Sequence, residues 1–337
     1  MSSAPSPEEI ARDATWLAQA LDPSVGVARL IAMDRDSYRA ASFLDDRMLQ
    51  QPVDGQTVPW TIVEDATSEH LRTDARWIFH IGHVGSTLLS RLLGELDGVL
   101  AVREPRLLRD LALSPPPVRE GYIALVPKLM SRTFAEQEFA CVKATSWVSE
   151  IAPELLPTSE RALFMFATPA NYIASILAGE NSLKEMHTLA AARTDRMRER
   201  VSGLAEQNRS DAHLAAAAWA CEMTSVESAA ERMFDHQVTW LDFDRMLADV
   251  PAALRLAADH FGFDADEIAI IDAATGPLMT RYSKALEYDY SPGLRRDLIG
   301  EAERRHSRDI ESALAMLRSA AEKSPLLARA LARAGEA

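Results

Sequence analysis

The stretch WIFHIGHVGSTLLSRLLGEL, Trp77 to Leu96, constrains the fold more than any other part of the chain. An apolar run of strand type ends in Gly82-His83-Val84-Gly85-Ser86-Thr87, after which Leu88, Leu89, Leu92, Leu93 and Leu96 fall on one helical stripe. Strand, glycine turn and helix therefore follow one another directly. Glycines at 82 and 85 permit positive φ and close backbone approach, so successive N–H groups can converge on an anion where the helix dipole also favours negative charge. Ser86 and Thr87 add hydroxyl donors. An ordinary tight strand-to-helix connection would use the same glycines for the turn alone. The standard triphosphate loop also needs a lysine just before its hydroxyl residue, and Gly85 stands there instead, which disfavours a typical kinase or ATPase.

From Arg76 onward, short apolar runs alternate with helical patterns, the signature of βαβ units around a parallel sheet. The runs predict strands at Trp77 to Ile81, Val99 to Val102, Phe139 to Val142, Ala162 to Ala167 and Gln237 to Leu241. A long helical tract separates the last two, Asn171 to Met233, and an amphipathic helix carries Leu254, Ala257, Ala258 and Phe261. The predicted fold is α/β: a P-loop NTPase-like three-layer arrangement with a central parallel sheet of about five strands, plus helical N- and C-terminal extensions. Its divisions are a helical N-terminal extension over 1–75, the α/β domain over 76–292 and a helical C-terminal segment over 293–337. Within the first, Ile10 to Ala20 and Ser37 to Leu49 show helical apolar spacing. Gln50 to Thr73, with Pro52, Gly55 and Pro59, reads as a connection holding at most a short strand at Trp60 to Val63.

Composition narrows the partners. With 337 residues, 47% of them hydrophobic, the chain has material for a full core. Its formal net charge of -14 disfavours broad contact with nucleic acid or an anionic membrane, so any phosphate or sulfate has to be held by a local positive pocket. No apolar stretch approaches the roughly 20 residues of a membrane helix. The first residues, MSSAPSPEEIARD, lack a signal-peptide layout, and Cys141 and Cys221 both lie in apolar runs, so the expectation is a cytoplasmic protein with buried thiols. No His/Asp/Glu group has recognisable metal-ligand spacing. Oligomeric state stays open, with a homodimer as one arrangement.

The turn resembles that of the sulfotransferases that use the donor PAPS (3'-phosphoadenosine 5'-phosphosulfate), which share a P-loop-like fold. Their shortened loop reads arginine or lysine, any residue, Gly, Ser/Thr, Thr, Leu, Leu; here it reads His83-Val84-Gly85-Ser86-Thr87-Leu88-Leu89, with His83 in place of the permanent cation. A second similarity is FMFATPANYIASIL, Phe164 to Leu177, where Pro169 and Ser175 match the proline and serine of the family's 3'-phosphate site. Thr168 is a good N-cap and Pro169 a good first helical residue, and Asn171 and Ser175 lie on one helix face. The family's arginine is replaced by Ala167. Val238 to Phe263 resembles the family's late strand and packing helix. Met279 to Pro292 lies where the family has a basic loop over the 3'-phosphate, so Arg281, Tyr282 and Lys284 become candidate cofactor-binding residues, with Arg281 and Lys284 as substitute cations.

The resemblance implies sulfuryl transfer from PAPS to a small-molecule acceptor, which needs a base for the acceptor's proton and cations for the leaving phosphate. Glu104, in Val102-Arg103-Glu104-Pro105 at the carboxyl edge of the predicted sheet, is the leading base. A capping or ion-pairing role with Arg103 or Arg106 is the competing account. His83 and Lys143 are the other catalytic candidates, and the cofactor-binding set is Gly82, His83, Val84, Gly85, Ser86, Thr87, Asn171, Ser175, Arg281, Tyr282 and Lys284. His80 reads as a core residue, and Trp147 as packing or as an adenine platform. Two rival readings remain: a small-molecule kinase using ATP with Mg, and a non-catalytic member that keeps the fold as a nucleotide-binding scaffold. The acceptor is not legible; its pocket is expected within 110–135 and 180–235.

Overall fold

A computed structural model describes residues 4–50, 52–67, 71–156, 160–202, 204, 210–281 and 291–336. Its centre is a five-stranded parallel sheet made of β4 (Arg76–His80), β5 (Val99–Arg103), β6 (Phe139–Lys143), β7 (Ala162–Phe166) and β8 (Val238–Asp242). These are the five strands predicted, each within a residue or two of its expected ends. The spatial order is β5-β6-β4-β7-β8, so the connection leaving β4 runs toward one edge and that leaving β7 toward the other. Loops diverge around the carboxyl ends of this pair, where open α/β sheets bind ligands. Every residue of β7 is buried, as expected of a strand covered by helices on both faces.

The N-terminal region departs from its predicted helices. β1 (Trp16–Asp22), β2 (Val27–Ala32) and β3 (Gly55–Pro59) form an antiparallel sheet in that order. β1 is buried along five consecutive residues, so its apolar pattern does not alternate, and the buried Ile10, Ala14, Leu17 and Leu21 happen to fit a helical stripe as well. Only Pro7–Arg12 and Arg35–Ala40 are helical in the two spans expected to be so, with a 3-10 turn at Asp46–Gln50. Trp60 to Val63, expected as a strand, begins the helix Trp60–Thr67, and the strand lies just before it.

Two buried arginines tie this region to the central sheet. Arg91 donates to the carbonyls of Arg39 and Ala40, and Arg103 to those of Tyr38, Arg39 and Ala41. The Leu44 amide then donates to the Arg103 carbonyl at 2.7 Å, laying residues 43–47 across the carboxyl end of β5. On the other side of the sheet the helix Asp211–Ala230 is buried along almost its whole length, its alanines allowing close approach, and Trp219 Nε1 donates to the Ala167 carbonyl. The C-terminal segment is helical at Pro292–Arg305, Ser307–Ala321 and Pro325–Arg333. No described helix is long and apolar enough to cross a membrane.

Candidate active site

The turn after β4 takes the conformation its glycines permit. Gly82 has φ +81° and Gly85 φ +64°, and between them the non-glycine His83 is also left-handed at +55°. Gly85 is required twice over: besides its φ, a Cβ there would lie 2.0 Å from Cε2 of Phe243. The helix Ser86–Leu93 starts directly after it. The Gly82 amide donates to His80 Nδ1 at 2.9 Å, a bond that closes the turn on itself. Among the described residues no hydrogen bond engages the amides of 83–87, and the buried Thr87 Oγ1 has no partner either. Fanned amides, an unused hydroxyl and a helix N-terminus together make an anion seat.

Facing that seat are residues delivered by three other strand ends and loops. Glu104 follows β5 with φ +54°, an uncommon conformation for a residue with a side chain, and is held there by its amide, which donates to the Lys143 carbonyl at 2.7 Å. Its carboxylate pairs with Lys143 Nζ through Oε1 and with Arg47 Nη2 through Oε2 at 2.9 Å. Lys143, the last residue of β6, is only 1% exposed. Arg47 also binds Asp45, at 2.7 Å and 2.8 Å, and its guanidinium lies over the Phe43 ring, 3.2 Å from the centroid. Burial alone would lower the pKa of Arg47, but Asp45 and Glu104 outweigh it and raise it. His80 Nε2 stands 3.9 Å from Glu104 Oε1. With Nδ1 accepting from Gly82, the hydrogen is assigned to Nε2.

These groups line a single cleft of about 680 Å³ at the carboxyl edge of the sheet, with Gly82 to Thr87 along one wall and Glu104, Lys143, Arg47 and Trp147 among the others. His83 lines it too, but its ring turns toward the helix Glu180–Met197, with Nδ1 3.5 Å from Ser182 Oγ and Nε2 3.6 Å from Glu185 Oε2. Trp147 has Arg196 4.7 Å from its ring centroid, so one face of the expected adenine platform is occupied. His80, read from sequence as core, is buried and lines the cleft as well.

No family model and no curated protein matches the chain. Solved structures that are similar to it include the sulfotransferase domain from the curacin biosynthetic pathway, 10% identical over 71% of this chain and 98% of that one, with a TM-score of 0.43. The sulfotransferase domain from the Synechococcus PCC 7002 olefin synthase is 13% identical over 70% and 91%, with a TM-score of 0.40. A mouse sulfotransferase complexed with PAP is 12% identical over 78% and 90%, with a TM-score of 0.38. At 10% to 13% identity none of them assigns a role to a residue of this chain.

The expected 3'-phosphate residues stand apart from the cleft. Thr168 caps the helix Pro169–Leu177 as predicted, but Asn171 Nδ2 donates to Asp244 Oδ2 at 2.7 Å and the Ser175 hydroxyl to the Tyr172 carbonyl at 2.8 Å. Neither lines the cleft, nor does the exposed Arg281; Tyr282 and Lys284 lie outside the described residues. Arg295 approaches the turn only through Phe243 and does not line the cleft. It binds Asp244 Oδ1 at 2.6 Å and lies 4.4 Å above the ring of Phe243, the residue packed on Gly85. Sequence reasoning missed Arg47, Phe43 and Arg295. Arg47 and Phe43 sat in a stretch read as a helix, and no local pattern links any of the three to the turn.

Proposed function

We propose that the chain moves a sulfuryl group from PAPS to a hydroxyl or amine of a small molecule, with Glu104 as general base. One observation carries this reading: the ion-paired Glu104 and Lys143 share a cleft with the unengaged amides of 83–87. PAPS, when bound, supplies the activated sulfuryl group. The turn would hold its 5'-phosphosulfate by backbone N–H donors and the Thr87 hydroxyl, with the helix dipole adding to the pull. Lys143 would offset charge gathering on the departing phosphate, and Glu104 would take the acceptor's proton. Two cations fix the orientation of the carboxylate, which is what a positioned base requires.

A second reading, a phosphotransferase using ATP with Mg, is favoured by a different observation. Asp244 engages the side-chain amide of Asn171, and a carboxylate at that helix start repels a 3'-phosphate, which ATP lacks. Calorimetric titration with PAP, ATP and ADP, each with and without Mg, separates the two. The sulfotransferase reading expects PAP to bind without Mg; ATP affinity that depends on Mg, with no PAP binding, overturns it.

A further inference from the structure

A second cavity, about 710 Å³, lies between the N-terminal sheet and residues 37–54, and it shares Phe43 and Arg47 with the catalytic cleft. The two spaces are therefore separated by the thickness of one stacked pair of side chains. Its size is that of a pocket for a drug-sized molecule. Ile31 and Met33 form its floor at the end of β2, and Met48 and Val53 close it from the connection to β3. Among the described residues, the charged groups on its lining are Arg47 and Asp54. Arg47 is already committed to Asp45 and Glu104, so an ionic guest would be desolvated with little to balance it. Two methionines give an adaptable wall suited to a rigid apolar guest.

We infer that this chamber holds the acceptor, a neutral aromatic or alicyclic alcohol or amine whose reactive group passes the Phe43–Arg47 bridge to reach Glu104. The assignment rests on the proposed transfer reaction for the role of Glu104, while the binding itself is independent of any donor. It moves the acceptor away from 110–135 and 180–235, where the sequence placed it, to the strands and loops of the N-terminal sheet. The bridge also explains a geometry otherwise unaccounted for. Arg47 lines both spaces and touches the carboxylate at 2.9 Å, so a hydroxyl displacing one of its hydrogen bonds arrives within reach of the base.

The test uses the full chain and 2-naphthol as the probe, its binding read from its own fluorescence without any nucleotide. Ala40→Trp and Val53→Trp fill the chamber from two walls at exposed positions. Leu113→Trp, on the exposed rim of the catalytic cleft, is the control. Saturable binding by the native chain, weakened at least tenfold by each filling variant and less than twofold by the control, is the expected result. Failure of the native chain to bind 2-naphthol, equal affinity in the filling variants, or loss of binding in the control alone overturns the assignment. PAP titrations of the same proteins report on the donor reading separately: if PAP fails to bind while the naphthol pattern holds, the donor is wrong and the chamber stands.

Discussion

Glu104 and Lys143 are joined twice, by the 2.7 Å bond from the Glu104 amide to the Lys143 carbonyl and by the ion pair between their side chains. The first bond continues the β5–β6 ladder one step past its last registered pair, Arg103 and Lys143. The second places a buried lysine, 1% exposed, against an acid that lines the cleft. Backbone register thus fixes the position of the side chains with no loop freedom in between.

Substituting Glu104→Gln keeps the shape and removes the proposed base. Turnover should fall by about 10²–10⁴, the usual contribution of a positioned proton acceptor. The variant also leaves Lys143 buried without its counter-charge, so unfolding stability should drop, toward the roughly 3–5 kcal/mol seen when one partner of a buried pair is lost. Adding Lys143→Met should recover stability without recovering turnover. Stability that returns together with activity would show the pair to be structural only, and a Glu104→Gln protein of full activity would leave the scaffold reading in its place.

Gly85→Ala tests the turn. The new methyl would overlap Phe243, whose Cε2 lies 2.0 Å from the Cβ position, and would sit on a residue at φ +64°. Left-handed strain alone costs about 1–3 kcal/mol, and overpacking adds a similar amount. Phe243→Ala in the same chain should relieve the overlap but not the strain. Truncating the buried Phe243 is itself costly, so denaturant unfolding of Gly85→Ala, Phe243→Ala and the double variant gives the comparison: strictly additive losses would show that Phe243 is not what excludes a side chain.

Asp244→Asn addresses the donor. It removes the negative charge beside Asn171 and Arg295 at the start of the helix Pro169–Leu177 while keeping an acceptor oxygen, so the repulsion of a 3'-phosphate goes and Arg295 loses the charge it pairs with. One new hydrogen bond to a charged group is worth about 1.5–3 kcal/mol, so PAP should bind at least tenfold more tightly while ADP, with no 3'-phosphate, changes little. Parallel titration of both nucleotides decides. Unchanged PAP affinity would mean that the 3'-phosphate is read elsewhere.

Much of this was legible in the sequence, and what was not has a physical reason. Four of the five parallel strands announce themselves as short apolar runs buried along nearly every residue, β8 being only partly buried, and the turn by two glycines at φ +81° and +64° flanking the left-handed His83. The catalytic candidates Glu104 and Lys143 were found from their place just past strand ends. β1 was missed because burial on both faces erases alternation, and helix and strand periods then fit the same residues. Arg47 and Arg295 were missed because they reach the site through tertiary packing: Arg47 by the docking of residues 38–44 on Arg91 and Arg103, and Arg295 from a C-terminal helix laid over Phe243. The pairing of Asn171 with Asp244 is equally long-range and engages one of the two donors that local spacing had aligned; the other, the Ser175 hydroxyl, turns back to the Tyr172 carbonyl of its own helix.

Burial pushes the thiols of Cys141 and Cys221 up to about 12. Neither should then react with a disulfide reagent in the native protein at pH 8, since the thiolate is the nucleophile and both are enclosed. Two equivalents should appear on unfolding. Rapid native reaction at either position would mean that the helix Asp211–Ala230 or strand β6 opens far more readily than its packing implies.

His260 gives a pH dependence of definite sign. Its Nε2 donates to the Ala162 carbonyl at 2.9 Å, and its Nδ1 lies 2.9 Å from the Thr239 hydroxyl, which can donate to the neutral ring or accept from the charged one. Burial is the main cause of a pKa below the ordinary 6.5; the neighbouring cations Arg161 and Arg76 push the same way, and the backbone contact opposes them. Near pH 6.5 the unfolded chain therefore binds more protons at this site than the folded one, so stability rises with pH. The contribution is complete above 6.5 and is lost as pH falls through the depressed folded value. His260→Gln removes the titration while other groups cancel in the difference. Urea unfolding of both proteins between pH 7.5 and 5 should show the native advantage shrinking toward acid; an advantage that stays constant or grows would mean the ring is held in its charged form.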